Sequence, residues 1–426
     1  MNLSDRLEEF LTAESMALIR LVKTEAERLD LPLYIVGGSV RDLLLGRAIK
    51  DFDFTVEGDA AKLAEALLKK YAGNVVFHTR FGTATWSLDE STYKRLNVPL
   101  VGASDFPPFL DLISARSETY SQPGALPTIQ RSSIDDDLRR RDFTINALAV
   151  RLDGAQYGQL HDPLGGRPDL ERGLIRVLHE TSFLDDPTRM LRAVRYAGRY
   201  SFEIEPKTID LINDEAKSVL ASLSGERLRH EIDLIFKEQH PPGMLNRLSE
   251  LGLLEPIHPS LPKAGTQLFS LETSAAEFWE FNVPEVLGWI TWLMLLSSSE
   301  IEEIAKRLDF PGSLSRSVHA AASLLEAMPA FTNWKPSQWT LYLDELPTLA
   351  IYAVYRVTKE KSLREYLLNW QHVKQTITGN DLKARGLEPG PRYAEILRHL
   401  RAAWLDGEVE SEEEEMKFLA TLLHGE

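Results

Sequence analysis

Residues 34–54 read YIVGGSVRDLLLGRAIKDFDF, and this segment combines a phosphate-binding turn with a pair of acidic side chains. The apolar run 33–36 predicts a short buried strand. Gly37, Gly38 and Ser39 then allow a tight turn into a helix, for which we expect Ser39 to be the N-cap. The unpaired N–H groups at such a helix start can bind a phosphate, so the segment predicts a site for a phosphorylated ligand.

Two acidic residues follow this predicted helix. Asp51 and Asp53 flank Phe52, so in an extended strand both carboxylates point to one face of the sheet. Two neighbouring carboxylates need a cation between them. Mg²⁺ with a nucleoside triphosphate meets this need, because Mg²⁺ takes one or two carboxylates together with phosphate oxygens. Either motif alone also occurs in turns and solvated strand ends, but the two together at this spacing favour a nucleotide site.

The combination closely resembles the signature of the polymerase-β-like nucleotidyltransferases, in which a Gly-Gly or Gly-Ser turn precedes an Asp-x-Asp strand. The fuller pattern, Gly-Gly-x-x-Arg-Asp at 37–42 followed by Asp-x-Asp, is similar to the class II tRNA nucleotidyltransferases and bacterial poly(A) polymerases. The resemblance covers 34–236 strongly and 377–410 moderately. It implies an α+β fold, with an N-terminal polymerase-β-like palm built on a mixed sheet with flanking helices and an all-α remainder.

The resemblance also implies a division of the chain into four parts. These are a nucleotidyltransferase head or palm at 1–151, a helical neck for base selection at 152–240, a helical body at 241–365 and a helical, tRNA-binding tail at 366–426. Within the palm, periodicity predicts helices at 4–30 and 59–72 and strands at 75–78, 83–88 and 109–113.

The composition is that of an ordinary soluble protein. The 426 residues are 43% hydrophobic and 26% charged, which suits roughly two to four domains. The chain has no cysteine, which excludes a disulfide framework, a thiolate zinc site and a cysteine nucleophile. The N-terminus lacks a signal-peptide pattern, and the longest apolar run, 286–296, is too short to span a bilayer. We therefore expect a cytoplasmic protein without membrane attachment.

The net charge of −16 opposes general nucleic-acid binding, because phosphate contacts normally need a basic surface. The charge is uneven, however. Residues 131–199 contain twelve arginines and no lysine against eleven acids, whereas 408–415 is strongly acidic. A local arginine-lined groove is therefore compatible with an acidic protein.

The segment 109–113, FLDLI, places an acid among apolar neighbours. A nucleotidyltransferase palm has a third carboxylate on such a strand, so the resemblance nominates Asp111, and the alternative is a strand-edge acid that faces water. Residues 116–131 have no periodicity and contain two prolines and a glycine, which predicts a long mobile loop. Its Arg-x-Glu-x-Tyr and Pro-Gly-x-Leu-Pro patterns are similar to the flexible loop of family members that incorporate AMP, which CC-adding members lack or shorten.

The motif RRRDFTINALA at 139–149 matches the family pattern Arg-Arg-Asp-Phe-Thr-x-Asn-Ala, and we predict that it opens a helix. The helix macrodipole disfavours positively charged arginines at a helix start unless an anion compensates their charge, as a triphosphate would. Arg140 and Arg141 would then bind phosphate, and Asp142 and Asn146, one helical turn apart, could hold a ribose hydroxyl. The alternative is an exposed basic helix end paired with the acids just upstream.

Within residues 183–199, Pro187 suits the first turn of a helix, and Asp185 or Asp186 would cap it. Four arginines recur on its flank at three- and four-residue spacing: Arg189, Arg192, Arg195 and Arg199. A carboxylate accepts and a guanidinium donates, so Asp186 and Arg189 can read a Watson–Crick edge. The pair matches the Glu-Asp-x-x-Arg motif with which the family selects CTP and ATP without a nucleic-acid template, although the first acid here is Asp185.

The resemblance thus implies an enzyme that adds or repairs the 3′-terminal CCA of tRNA from CTP and ATP. Asp51, Asp53 and Asp111 would be catalytic, and Asp51 and Asp53 would hold Mg²⁺. The expected nucleotide-binding residues are Gly37, Gly38, Ser39, Arg41, Arg140, Arg141, Asp142, Asn146, Asp186, Arg189, Arg192 and Arg195. The expected partner is the tRNA 3′ end, with no obligate protein partner.

Three alternatives share these motifs. An A-adding tRNA nucleotidyltransferase works after a separate CC-adding enzyme, and a poly(A) polymerase extends other RNAs. A non-catalytic RNA-binding relative would be expected to lack an acid of the Asp-x-Asp pair, and this chain has both Asp51 and Asp53.

Overall fold

The computed structural model describes residues 1–47, 49, 53–78, 82–88, 109–263 and 280–424. The chain divides into an N-terminal unit, Met1–Leu223, and a C-terminal unit, Ser224–Glu426. The N-terminal unit carries a mixed sheet with flanking helices and the C-terminal unit is helical in its described part, so the expected α+β fold is confirmed. The finer division into head, neck, body and tail stays a prediction.

The described part of the N-terminal unit contains the strands β1 Leu33–Val36, β2 Asp53–Val56, β3 Asn74–His78, β4 Thr83–Ser87, β5 Phe109–Ser114, β6 Arg116–Thr119, β7 Thr128–Arg131, β8 Ala149–Arg151, β9 Leu160–His161, β10 Leu174–Ile175 and β11 Glu203–Ile204. Seven of them form a sheet with the order β3-β4-β5-β2-β1-β8-β9. In this sheet β2 and β5 are parallel, and the other neighbouring pairs are antiparallel. The three strands predicted within 75–113 are therefore confirmed.

Burial on both faces explains why β1 is a continuous apolar run. Leu33 and Ile35 belong to a large cluster with side chains of the helices Ala13–Arg28 and Ala60–Tyr71. Tyr34 and Val36 face the other way, into a smaller cluster. Burying each large apolar side chain contributes roughly 1.5–3 kcal/mol, so this two-sided packing fixes β1 at the centre of the unit.

Of the two helices predicted in the N-terminal part of the palm, one is confirmed and one is wrong. The α-helices are Ser4–Phe10, Ala13–Arg28, Gly38–Leu44, Ala60–Tyr71, Ile134–Arg139, Gly166–Arg172, Ser182–Asp185, Thr188–Tyr200, Pro206–Asp210 and Asp214–Ser222. The helix predicted at 59–72 is confirmed, with Asp59 as its N-cap. The single helix predicted at 4–30 is wrong, because Thr12 is extended and its side chain accepts the N–H of Ser15, which starts a second helix.

The turn after β1 differs from the prediction in its cap. Gly37 has φ 67° and ψ −123° and is itself the N-cap of the helix Gly38–Leu44. Its N–H donates to the carbonyl of Leu148, and its own carbonyl accepts from the N–H of Arg41. Ser39 therefore lies in the first turn and not at the cap. A backbone with positive φ, which glycine adopts easily, starts this helix without a side-chain cap.

The segment 116–131, predicted to be a long mobile loop, is a β-hairpin. Its strands β6 and β7 pair antiparallel from Arg116↔Arg131 to Thr119↔Thr128. Its connection is also attached to the rest of the unit, since the N–H of Gly124 donates to the carbonyl of Leu184. The strands are short and mostly polar, so their order comes from hydrogen bonds and carries no hydrophobic alternation that the sequence could reveal.

The arginine motif at 139–149 does not open a helix. A helix, Ile134–Arg139, ends where the motif begins, and the chain continues through the 3₁₀ turn Thr144–Asn146 into β8. The acids at 135–137 occupy the first turn of that helix and Arg139 the last. Both charges suit the helix dipole, so the predicted need for a compensating anion was wrong.

The C-terminal unit is built from helices in its described part. They are Gly225–Phe236, Pro241–Glu250, Pro284–Leu293, Ser298–Arg307, Gly312–Ala327, Pro336–Leu343, Thr348–Thr358, Lys361–Leu368, Gly379–Ala384, Pro391–Leu405 and Glu412–His424. Trp289 and Trp292 are buried against Phe236. No helix among the described residues has the length and apolar character needed to cross a membrane.

The turn at Gly37 gives a testable prediction. A Cβ at this position would lie 2.5 Å from Nη1 of Arg141, and the backbone conformation itself is unfavourable for alanine. We expect Gly37→Ala to lower the free energy of unfolding by about 1–3 kcal/mol in urea titrations. Gly38→Ala is the matched control, because a Cβ there would meet only the end of the Arg41 side chain at 3.3 Å. Equal stability of the two variants would contradict this account of the turn.

Candidate active site

A cavity of about 470 Å³ lies in the N-terminal unit, where segments distant in sequence meet. It receives side chains from the helix after β1, from the sheet, from the β6–β7 hairpin and from the helix Thr188–Tyr200. Its lining residues are Gly38, Arg41, Asp53, Ile113, Glu118, Tyr120, Arg140, Arg141, Asp142, Asn146, Asp186, Arg189, Arg192 and Tyr196. Most of the lining groups are charged or polar, so the cavity suits a highly charged ligand.

Two of the three predicted acids lie side by side on the sheet. Asp53 is the first residue of β2, and it pairs in parallel register with Asp111 on β5. Both side chains point away from the face that carries Phe54 and Leu112, which belong to the apolar cluster. The third acid, Asp51, lies outside the described residues.

The surroundings of Asp111 fit a divalent cation. One of its oxygens, Oδ1, accepts a hydrogen bond of 2.7 Å from Oγ1 of Thr85. The other, Oδ2, has no hydrogen-bond partner among the residues that the structure describes. A carboxylate oxygen with open coordination beside a second carboxylate is the donor set that Mg²⁺ takes together with phosphate.

A chain of hydrogen bonds joins the helix Gly38–Leu44, which follows the glycine turn, to the helix Thr188–Tyr200. Nη1 of Arg41 donates to Oδ1 of Asn146 at 2.5 Å, and Nδ2 of Asn146 donates to Oδ1 of Asp142 at 2.9 Å. Nη2 of Arg192 donates to the second oxygen of Asp142 at 2.6 Å. The predicted proximity of Asp142 and Asn146 thus occurs without the predicted helix.

Asp142 is buried and remains ionised. Burial raises the pKa of its carboxyl group, but the charge of Arg192 and the hydrogen bond from Asn146 outweigh burial, so the net pKa is lowered. At Arg41, burial lowers the pKa and the hydrogen bond to Asp42 more than compensates, so its guanidinium stays charged. The linked residues therefore hold fixed charges at neutral pH.

A second buried acid binds two of the three arginines of the 139–149 motif. Asp137 is fully buried, and it accepts from Nη2 of Arg140 at 2.8 Å and from Nη2 of Arg141 at 2.9 Å. Burial raises the pKa of Asp137, but the charges of Arg141 and Arg140 outweigh burial and the net pKa is lowered. Nη1 of Arg140 also donates to Glu118 at 3.0 Å. Both guanidinium groups are thereby fixed at the cavity wall.

The predicted base-reading pair lies at the same cavity. Oδ1 of Asp186 accepts from the N–H of Thr188 at 3.1 Å, but the N-cap of the helix Thr188–Tyr200 is Pro187 and not the predicted Asp185 or Asp186. Arg189 is 5% exposed, with Nη1 donating to Ser182 at 2.7 Å and Nη2 to the carbonyl of Arg140 at 2.8 Å. Both ends of the guanidinium are therefore held, and its remaining N–H groups have a fixed direction.

Comparison with known proteins identifies the family of this chain. Residues 33–176 match the family described as the poly A polymerase head domain, and residues 201–264 match a probable RNA- and SrmB-binding site of polymerase A. The A-adding tRNA nucleotidyltransferase of Halalkalibacterium halodurans is 33% identical over 98% of this chain and 95% of its own. The chain belongs to the tRNA nucleotidyltransferase and poly(A) polymerase family.

Other relatives in this family carry different names. The CC-adding tRNA nucleotidyltransferase of Deinococcus radiodurans is 31% identical over 92% of this chain and 90% of its own. A solved CCA-adding enzyme in an apo form has a TM-score of 0.77 at 29% identity and covers 99% of both chains. The Thermotoga maritima CCA-adding enzyme in complex with tRNA has a TM-score of 0.71 at 28% identity, covering 100% of this chain and 99% of that one. The chain is thus an enzyme, a nucleotidyltransferase.

Four lining residues of the nucleotidyltransferase cavity were not predicted from the sequence, and one of them is Ile113 on β5. Glu118 and Tyr120 come from the hairpin, and the Tyr120 hydroxyl donates to Glu118 at 3.1 Å. Burial and the Glu118 charge raise the pKa of Tyr120 to about 12. The ring of Tyr196 lies within 6 Å of four guanidinium groups, those of Arg41, Arg192, Arg195 and Arg199. The repeated arginines predicted this helix, but no sequence pattern indicated that Tyr196, which lies among them, belongs to the site.

Four of the predicted residues in the described part of the chain are not among the lining residues: Gly37, Ser39, Asp111 and Arg195. Gly37 is covered by Arg141, and Arg195 is buried beside the Tyr196 ring, 5.0 Å from its centroid. Asp111 lies on the sheet directly beside the lining residue Asp53. The other predicted residues in the described part line the cavity.

The two buried acids predict how stability depends on pH. Because folding lowers the pKa of Asp137 and of Asp142, their ion pairs stabilise the native state fully above the unfolded-state pKa of about 3.9. This contribution is lost as the pH falls through the lower native-state pKa. We expect Asp137→Asn to lower the free energy of unfolding by about 3–5 kcal/mol at pH 7, and by progressively less below pH 4.

Thermal and urea unfolding from pH 7 to pH 2 measures this difference. Asp135→Asn is the matched control on the same helix, since its carboxylate is 51% exposed. The control should change stability by less than about 1 kcal/mol. A difference between Asp137→Asn and the wild type that grows as the pH falls would contradict the assignment.

Proposed function

We propose that this enzyme adds nucleotides to the 3′ end of tRNA from CTP and ATP without a nucleic-acid template, and so completes or repairs the terminal CCA. The observation that carries the proposal is the meeting of Asp53, Arg41 and the Asp186–Arg189 pair at one cavity. An acidic strand, a phosphate-binding helix start and a base-reading pair are together what nucleotidyl transfer requires. Relatives named CCA-adding enzymes, and their complexes with tRNA, ATP and CTP, support it.

In the proposed reaction, the 3′-hydroxyl oxygen of tRNA attacks the α-phosphorus of the nucleotide and pyrophosphate leaves. Asp51, Asp53 and Asp111 would hold two Mg²⁺ ions, which when bound lower the pKa of the attacking hydroxyl and stabilise the leaving pyrophosphate. Arg41 and Arg141 bind the triphosphate oxygens, because their positions beside the helix start Gly38–Leu44 are fixed by Asn146 and Asp137.

Base selection follows from the chemistry of two side chains. Asp186 accepts and Arg189 donates, so the pair suits cytosine, with an amino donor beside the N3 and O2 acceptors, and adenine, with an amino donor beside N1. Uracil and guanine carry a carbonyl where the amino group would be, and that oxygen would face the carboxylate. Each unpaired group in a closed pocket costs about 1–3 kcal/mol, which is one to two decades of discrimination.

A specific observation favours a second candidate, addition of the terminal A alone. Two relatives named A-adding tRNA nucleotidyltransferases share 33–34% identity with this chain over 96–98% of its length. Two relatives named CCA-adding enzymes that match 89–94% of the chain share only 25–27%. The hairpin at 116–131 suits either activity, since it resembles the loop of members that incorporate AMP.

The parts outside the palm have proposed roles. We assign base selection to the neck at 152–240 and tRNA binding to the tail at 366–426, with the palm at 1–151 and a helical body at 241–365. The match at 201–264 to a family named for RNA binding supports an RNA contact in this part of the chain. The cytoplasm is the proposed location, because a chain without cysteine suits a reducing compartment, and no obligate protein partner is required by the proposed reaction.

The deciding experiment offers purified protein three tRNA substrates, lacking the last one, two or three nucleotides, with CTP, ATP or both, followed by sequencing of the products. Extension of all three to CCA is expected, and extension of only the tRNA that ends in CC would establish the A-adding alternative. Long adenylate tails on unrelated RNA would instead identify a poly(A) polymerase. Asp53→Asn should abolish every addition while leaving the protein folded, and its activity at the wild-type rate would refute the catalytic assignment.

A single substitution tests the base-reading pair. Asp186→Asn keeps the shape of the side chain and an oxygen for the N–H of Thr188, but it presents an amide donor to the base. We therefore expect incorporation of UTP and GTP relative to CTP and ATP to rise about tenfold in competition assays. Asp185→Asn is the matched control, because Asp185 is adjacent in sequence and does not line the cavity. An unchanged preference in Asp186→Asn would place base selection elsewhere.

A further inference from the structure

A hydroxyl group on the neighbouring strand controls the orientation of the third acid. Thr85 on β4 pairs directly with Asp111 on β5, and Asp111 pairs with Asp53 on β2. Because paired residues of adjacent strands point to the same face, the three side chains form one row across the sheet. Thr85 is therefore the neighbour of Asp111 on the side opposite Asp53.

The hydrogen bond from Thr85 occupies Oδ1 of Asp111 and leaves Oδ2 available as a ligand. Oγ1 of Thr85 is 2.7 Å from Oδ1 of Asp111, which is a short, charge-assisted contact. Nε2 of His78 lies 3.5 Å from the same hydroxyl on its far side. The Thr85 hydroxyl has one hydrogen to donate, and the 2.7 Å contact assigns that hydrogen to Asp111.

We propose that Thr85 is a positioning residue for metal binding, which restricts Asp111 to ligation through Oδ2 alone. Mg²⁺ demands near-octahedral geometry with single oxygens at short distances, whereas a carboxylate free to rotate can bind through both oxygens. Hydrogen bonds to a ligating carboxylate commonly contribute about 10- to 100-fold in metal affinity or activity. The Thr85 hydroxyl supplies such a bond from a rigid strand, so its effect on the cation acts entirely through Asp111.

This inference rests on the proposed metal-dependent function, and its test measures metal binding separately from activity. Free Mn²⁺ is titrated by electron paramagnetic resonance against the full-length protein with a non-hydrolysable ATP analogue. Thr85→Val, which keeps the shape and removes the donor, should weaken Mn²⁺ binding about 10- to 100-fold. Thr85→Ser should restore affinity near that of the wild type, because it restores the hydroxyl.

Thr83→Val is the matched control, since Thr83 lies two residues away on the same strand and face and pairs with Ile113. It should bind Mn²⁺ as the wild type does. In activity assays, Thr85→Val should need correspondingly more Mg²⁺ for half-maximal rate and recover at high Mg²⁺. A purely structural role for Thr85 would instead lower the rate at every Mg²⁺ concentration.

The outcomes separate the two proposals. Wild-type Mn²⁺ affinity in folded Thr85→Val overturns the inference alone, while absence of Mn²⁺ binding to the wild type overturns the metal-dependent function and the inference with it. If Thr85→Val does not fold, Thr85→Ala removes the same hydroxyl with a smaller side chain and is judged by the same two criteria.

Discussion

The active-site cavity depends on the hydrogen bonds and the ion pair of the buried Asp142 carboxylate. Arg192 reaches it from a helix fifty residues further along the chain, and Asn146 connects it to Arg41 beside the phosphate-binding turn. A buried charge is tolerated only when it is paired and hydrogen-bonded, so each residue in this series of hydrogen bonds requires the others. The helix proposed to read the base and the turn proposed to bind phosphate are thereby connected through one set of hydrogen bonds.

The same pairing explains how an acidic protein can bind a nucleotide. Five arginines and four acids line the cavity, and the fully buried Asp137 lies behind two of the arginines. The arginines therefore do not form a general basic surface that would attract any polyanion. The acids on the sheet, Asp53 and Asp111, suit a cation, whereas the arginines on the opposite elements suit phosphate. A triphosphate that carries its metal ion matches this division, and a bare anion does not.

The sequence predicted those parts of the fold that rest on local patterns. β1 could be predicted because burial on both faces leaves a continuous apolar run, and the helix Ala60–Tyr71 because its apolar stripe and its Asp59 cap agree. The hairpin could not, because its order depends on contacts such as Glu118 with Arg140, which join residues far apart in sequence. Within the site, motif spacing located Asp186 and Arg189, while Tyr120 and Tyr196 are recognisable only once the elements are assembled.

The failure of the helix predicted at 139–149 shows what such motifs can and cannot indicate. The prediction placed the arginines at a helix start, which the helix dipole disfavours. In the structure the acids at 135–137 begin the helix, Arg139 lies in its last turn and Arg140 is its C-cap. Asp137 accepts hydrogen bonds from Arg140 and Arg141, and the carbonyl of Arg140 accepts one from Arg189. The motif therefore connects Arg141, which is proposed to bind phosphate, with Arg189, which is proposed to read the base. Its residue order is required by these contacts, and no periodicity of a helix or strand is needed to explain it.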